Sequence, residues 1–225
     1  MNRRIDLLET MIHPGSILAD IGTDHGYLPV RAVQHNRVEK AYACDVAAGP
    51  LSQARHAVSS LGLGDRITCI LSDGFEQVPL DATCAVLAGM GFHTAKRILE
   101  AAEGRLDRLD QIIVQSNNDL PLLRKWISEH HYAIVTEAHV YDRGKYYTAI
   151  EFTTSYHSPY NETDLLCGPM DVIKDIDAWM EYADHELERL SFVNEKRGGD
   201  KDAMNQIWLI EGRRQELLER KQTEC

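Results

Sequence analysis

"SILADIGTDHGYLPV", residues 16–30, decides the fold. An apolar run ends in Asp20, and the chain then turns at Gly22. Pro29 stands where the first turn of a helix tolerates a residue without an N–H. Strand, glycine turn and helix in that order open a nucleotide-binding α/β unit, because glycine lets a ligand approach the backbone. The glycines are sparse for a dinucleotide fingerprint. Gly22 and Gly26 are present, and Asp24-His25 stands where more glycine would be needed.

Outward from this stretch, short apolar runs alternate with helical patterns. Strands are predicted at 16–20, 40–46, 66–73, 82–89 and 111–116, with helices near 27–35, 50–61, 93–102 and 120–130. Such alternation implies right-handed crossovers and a mostly parallel sheet covered on both faces. Before the first strand, Ile5, Leu8 and Ile12 share one face of a helix that His13-Pro14-Gly15 ends. After the fifth strand, "YAIVTEAHVYD" and "KYYTAIEFTT" flank Arg143-Gly144 and read as an antiparallel hairpin.

From Tyr156 the pattern changes. "YHSPYNETDLLCGPM" reads as a linker. Ile173, Ile176, Met180, Ala183, Leu187 and Leu190 then recur at heptad spacing, a diglycine turn follows, and a second amphipathic helix spans about 203–221. The expected architecture is an α/β sheet with antiparallel last strands over residues 1–155, plus a coiled-coil-like C-terminal α-helical hairpin over residues 156–225.

The 225 residues carry a net charge of −11. Up to Ser155 there are 15 basic and 19 acidic residues, and the remaining 70 residues hold 9 and 16. This balance argues against a nonspecific nucleic-acid coat but leaves room for a local basic patch. The five cysteines, Cys44, Cys69, Cys84, Cys167 and Cys225, form no Cys-x-x-Cys pair. Reduced thiols and no metal site are expected. No run of about eighteen apolar residues could span a bilayer. A cytoplasmic, membrane-free monomer is the expectation.

Ligands in open α/β sheets sit at the carboxyl ends of the strands, and three acidic residues fall there. Asp20 ends the first strand; with Asp24 it suits a cationic ligand rather than a diphosphate. S-adenosyl-L-methionine, with a sulfonium, an amino group and no phosphate, is such a ligand. Asp45 ends the second strand and can accept ribose hydroxyls, although NAD enzymes use the same device. Asp73-Gly74 ends the third and can accept from an adenine amino group, although strands also end this way for turn reasons. "LAGMGF", 87–92, makes a tight loop over the ligand through Gly89 and Met90. "QSNND", 115–119, carries amides that can meet a base edge, while Asn118 or Asp119 can equally cap the next helix.

"ADIGTDHGYLP", "SDGF", "AGMG" and "IIVQSN" followed by "LRKWISEHHYAIVTEAHVYDRGKYYTAI" together resemble the bacterial tRNA (adenine-22-N1)-methyltransferase family over nearly the whole chain. The resemblance implies a Rossmann-like class I methyltransferase fold with a C-terminal helical domain. It further implies S-adenosylmethionine as cofactor and tRNA as substrate, methylated at N1 of adenosine 22. It places Asp20, Gly22, Asp24, His25 and Tyr27 in the first cofactor loop, Asp45 on the ribose, and Asp73-Gly74 on the adenine. Two departures fall where the target base enters: Phe92-His93 follows Gly-Met-Gly, and Ser116 follows Gln115.

Adenine N1 has a free lone pair at neutral pH, so alignment and stabilisation of the cationic product are what the enzyme must supply. Asp24 and Asn117 are the expected catalytic groups. His25 is an orienting group or a core hydrogen-bonder. Phe92 or Tyr27 can stack on an unstacked target base. Arg3, Arg4, Lys196 and Arg197 are candidate tRNA contacts, as are Arg124-Lys125 and Arg143-Lys145. Two other classes stay open: an NAD-dependent oxidoreductase, which the thin glycine pattern disfavours, and a noncatalytic RNA-binding protein with a vestigial pocket.

Overall fold

The computed structural model describes residues 2–102 and 104–223, so Cys225 lies outside the described residues. Seven strands form one sheet: β1 (Ser16–Ile21), β2 (Val38–Asp45), β3 (Ile67–Leu71), β4 (Cys84–Met90), β5 (Gln111–Ser116), β6 (Tyr132–Asp142) and β7 (Lys145–Tyr156). Their order is β3-β2-β1-β4-β5-β7-β6. The first five are parallel and the last two join antiparallel, as the sequence pattern predicts. Asp142 faces Lys145 across a two-residue turn in which Arg143 and Gly144 have φ of 49° and 84°. Two positive values are what a type I′ turn requires, and that turn matches the twist of the arms.

The strands read as continuous apolar runs because both faces are covered. Side chains alternate between two cores. Ala85 and Leu87 of β4 join Ile112 and Val114 of β5 in one cluster. Cys84, Val86 and Ile113 enter the other. Helices α4 (Phe92–Ala101) and α5 (Leu120–Glu129) cover the first. Helices α1 (Arg3–Met11) and α2 (Tyr27–Gln34) cover the second through Ile5, Leu8, Leu28 and Val33, and α3 (Ala48–Ser60) adds Val58. Gln111 fixes α1 to the sheet. Its amide donates to the Met11 carbonyl at 2.8 Å and accepts from the His13 N–H at 3.0 Å.

The stretch expected to be a linker contains a helix, α6 (Glu162–Cys167). The side chain of Asn161 caps it by accepting from the Asp164 N–H at 2.9 Å. The asparagine before a Glu-x-Asp turn is the signal for it. Helices α7 (Ile176–Lys196) and α8 (Lys201–Thr223) form the expected antiparallel pair. Asp175 caps α7, so Ile173 lies before the helix rather than on its seam. A third core holds Ile173, Ile176, Trp179, Ala183, Leu190, Ile210 and Leu217. Trp179 stands off the heptad seam yet is fully buried, because its indole N–H donates to the Cys167 carbonyl at 3.0 Å.

Arg124, offered by sequence as a surface cation, is fully buried. Its guanidinium forks onto Glu137 at 2.8 and 2.7 Å and donates to the Leu166 carbonyl at 2.7 Å, fixing α6 against the sheet. A guanidinium with this donor geometry can be buried where its charge is balanced and its donors are used.

Candidate functional site

The sheet order reverses direction between β1 and β4, so the ends of these strands leave a crevice. Gly22 has φ +77°, and a Cβ there would meet the Met90 methyl at 3.2 Å. Glycine is therefore required where the β1 and β4 loops touch. The N–H groups of Gly22 and Thr23 both donate to the Cys44 carbonyl, at 2.8 and 2.9 Å. That of Asp24 donates to Asp45 Oδ2 at 3.1 Å, and that of Gly26 to the Thr23 carbonyl at 3.0 Å. Four of the loop's N–H groups, those of Gly22, Thr23, Asp24 and Gly26, are thus committed to the protein itself.

Carboxylates take their place. Asp45 accepts the Asp24 and Ala47 N–H groups, one on each oxygen, which locks its orientation and leaves lone pairs on both. Asp20 is buried, with Thr23 Oγ1 donating to it at 2.6 Å. Burial raises its pKa to about 6 against the lowering effects of Thr23 and the Arg4 charge. Asp24 has φ +54°, and its exposed carboxylate lies 3.5 Å from His25 Nε2. Tyr27 is exposed, its ring 5.4 Å from that of His25. Asp73 sits at the end of β3 and is forked by Arg97 at 3.2 and 3.1 Å, and Gly74 turns with φ +56° against Ile98.

The entrance is organised by side-chain amides. Buried Gln115 accepts from Arg4 Nη1 at 2.9 Å and from the Gly89 N–H at 3.1 Å, and donates to Asn117 Oδ1 at 3.2 Å. Asn117 donates back to the Gly89 carbonyl at 2.7 Å. Asn118 caps α4, not its own helix, by accepting from the Phe92 N–H at 3.0 Å; Asp119 occupies the cap position of α5 without a side-chain bond. A Cβ on Gly91 would meet Asn118 at 3.1 Å. The Gly-Met-Gly stretch is thus shaped by the loop after β5. The pairing is non-local and leaves no mark in either segment.

The structure brings Asp20, Gly22, Asp24 and Asp45 together through shared hydrogen bonds and charge, and Gly89, Met90, Asn117 and Arg4 through the amide network. Phe92 does not serve as a stacking platform. Its ring is buried in the first core, because α4 begins at that residue and turns it inward. Lys196 and Arg197 lie at the end of α7, the first over the ring of Phe192 at 4.5 Å and the second paired with Asp200 at 2.7 Å. The arrangement can hold a cationic nucleoside, with the carboxylates at the strand ends and an amide-lined opening beside them.

Comparison with known proteins agrees with this geometry. Residues 1–150 match the family model described as "Methyltransferase domain". The chain is 31% identical over 151 residues to a Bacillus subtilis (strain 168) tRNA (adenine(22)-N(1))-methyltransferase, an alignment covering 67% of this chain and 63% of that protein. The structure of M. capricolum TrmK in complex with S-adenosyl-homocysteine superposes with a TM-score of 0.80 at 28% identity, over 94% of this chain and 96% of that one. Streptococcus pneumoniae Sp1610 in complex with S-adenosyl-L-methionine gives a TM-score of 0.81 at 28% identity, over 95% and 99%.

Proposed function

Because the chain belongs to the methyltransferase-domain family, and within it to the bacterial tRNA (adenine(22)-N1)-methyltransferases, we propose that it methylates N1 of adenosine 22 in tRNA with S-adenosylmethionine as donor. One observation carries the reading. The first loop turns the N–H groups of Gly22, Thr23, Asp24 and Gly26 onto the protein and gathers the carboxylates of Asp20, Asp24 and Asp45, acceptors that suit a sulfonium nucleoside better than a diphosphate.

The cofactor, when bound, supplies an electrophilic methyl group and leaves as a neutral thioether. The chain's own residues do the rest. Asp45 holds the ribose hydroxyls through lone pairs its two backbone partners leave free. Asp20 and Asp24 balance the cationic groups; Gly22 and Tyr27 border the same loop. Asp73, Gly74, Gly89 and Met90 enclose the adenine end. N1 of the target base needs no base catalyst, since its lone pair is free at neutral pH. The amide of Asn117, fixed between Gln115 and Gly89, orients the entering base. The carboxylate of Asp24, placed by its left-handed backbone and neighboured by His25, stabilises the positive charge that develops on the base.

We place the catalytic unit in residues 1–155 and a helical unit in 156–225, and read the protein as a cytoplasmic monomer. Among the described residues no helix is long and apolar enough to cross a membrane. The decisive assay is incubation with labelled S-adenosylmethionine and unmodified tRNA, followed by nucleoside analysis. 1-Methyladenosine is expected. A methyl group on another nucleoside would overturn the target, and label on protein alone would overturn the substrate class.

A further inference from the structure

We propose that Arg4, carried to the crevice by α1, receives the carboxylate at the amino-acid end of the cofactor. The inference rests on the S-adenosylmethionine reading above and adds to it a residue from outside the loops of the sheet.

The need comes from the ligand's chemistry. Its amino-acid end carries an ammonium and a carboxylate side by side. The rim of Asp20, Asp24 and Asp45 suits the first and repels the second, because like charges oppose each other. The N–H groups of Gly22, Thr23, Asp24 and Gly26 do not relieve this, since they are bonded within the protein. A cation is required where the amino acid lies.

The sheet order says where that is. Asp73 follows β3, Asp45 closes β2, Asp20 is on β1, Gly89 on β4 and Gln115 on β5, and the strands lie side by side in that order. A nucleoside with its adenine at Asp73 and its ribose at Asp45 therefore runs past Asp20 toward β4 and β5. Arg4 stands at that end. Its Nη1 donates to Gln115 Oε1 at 2.9 Å. Its guanidinium lies against Gly89, where a Cβ would come within 2.9 Å of Nη1 and 3.8 Å of Nη2. The guanidinium thus fills the space that the absent side chain leaves.

Arg4 is placed there without being neutralised. Gln115 carries no charge, and among the described residues no carboxylate lies within ion-pair distance of Arg4 and no second acceptor meets its N–H groups. On the helices that flank the crevice, Arg31 is bound by Asp6 and Glu9, Lys96 by Glu100 and Arg97 by Asp73. Arg3, one residue earlier, is exposed and donates to the Tyr141 carbonyl at 3.0 Å, so it serves the β6 arm instead. The charge of Arg4 does reach Asp20. Burial raises the pKa of that carboxyl, and the Thr23 hydrogen bond and then Arg4 lower it. Cation and carboxylate share the crevice without direct contact. Asp20 and Arg4 can then meet the ammonium and the carboxylate of one amino acid, each by opposite charge.

The test is titration calorimetry of the full chain with two ligands: S-adenosylhomocysteine, and its decarboxylated analogue, which keeps the adenosine and the amino group. The ratio of the two affinities is the readout, because a loosened Gln115 loop or a change at Asp20 weakens both ligands alike. Wild type should prefer S-adenosylhomocysteine about tenfold or more, the effect of a charge-assisted hydrogen bond. Arg4→Gln should reduce that preference to about twofold or less. Arg4→Lys, which keeps the charge but not the planar fork, should retain an intermediate preference of about threefold to fivefold. Thermal unfolding reports that each variant is folded, and Arg4→Lys decides the matter should Arg4→Gln fail to fold. A wild type without preference, or folded variants that keep it in full, overturns the proposal. Wild-type protein that binds neither S-adenosylhomocysteine nor S-adenosylmethionine contradicts the cofactor reading itself, and this one with it.

Discussion

Arg4 and Gln115 are 111 residues apart in the chain, and the guanidinium of one meets the amide oxygen of the other at 2.9 Å. Through this bond the N-terminal helix holds the loops after β4 and β5 in place. It also brings a cation close enough to Asp20 to oppose that group's raised pKa.

Gly89 tests this link. Its φ is +81°, and a Cβ there would stand 2.9 Å from Arg4 Nη1. Gly89→Ala combines a strained backbone, costing about 1 kcal/mol, with displacement of Arg4 from Gln115. Thermal denaturation should show the modest loss of stability. Steady-state kinetics should show kcat reduced at least about tenfold, because the Asn117 amide loses its fixed orientation. Full activity would mean that the amide network does not position the base.

Asp20 links stability to binding with opposite signs. Its pKa of about 6 lies above the ordinary carboxylate range. The folded chain therefore binds the proton more tightly than the unfolded one. The stability this contributes is present below about pH 4 and lost as pH rises through 6. Asp20→Asn should raise stability at pH 7 by on the order of 2 kcal/mol, read by denaturant unfolding. Buried His139 works the other way: desolvation, then Arg124, lowers its pKa to about 3, so its contribution is lost as pH falls below about 6.5. Subtracting the Asp20→Asn curve from wild type removes that contribution. Binding of the cationic cofactor to wild type should weaken about tenfold from pH 7 to pH 5, and the variant should bind weakly at both. A variant that gains stability and keeps full affinity would remove Asp20 from the site.

The Arg124–Glu137 pair is fully buried. Glu137→Gln leaves the guanidinium without its counter-charge and should cost about 3–5 kcal/mol in denaturant unfolding. Replacing both residues with leucine should cost less than the two single changes summed, because the penalty belongs to the unpaired partner. Additive losses would show that the pair does not act as a unit.

Much of the fold is written locally. Apolar runs, glycine turns and the Arg143-Gly144 pair specify strands, crossovers and hairpin without reference to distant residues. The carboxylate positions are legible for the same reason, since each follows a strand end. What sequence does not show is set across the fold. Asn118 caps α4 from the loop after β5, Arg4 reaches Gln115 from the first helix, and Arg124 disappears beneath α6. Phe92 carries a helical start and an aromatic ring at once, and only packing decides that the ring points inward. The cap at Asn161 is a local signal, but it stands among two prolines and a glycine that favour a loop.

The central claim is that a carboxylate rim, on a loop whose Gly22, Thr23, Asp24 and Gly26 N–H groups are already engaged, receives a cationic sulfur nucleoside. Titration calorimetry of the full chain with S-adenosylmethionine and, separately, with NADH measures this most directly. The account predicts saturable one-to-one binding of S-adenosylmethionine, abolished by Asp45→Ala, and no heat from NADH. Saturable binding of NADH in place of S-adenosylmethionine would contradict it.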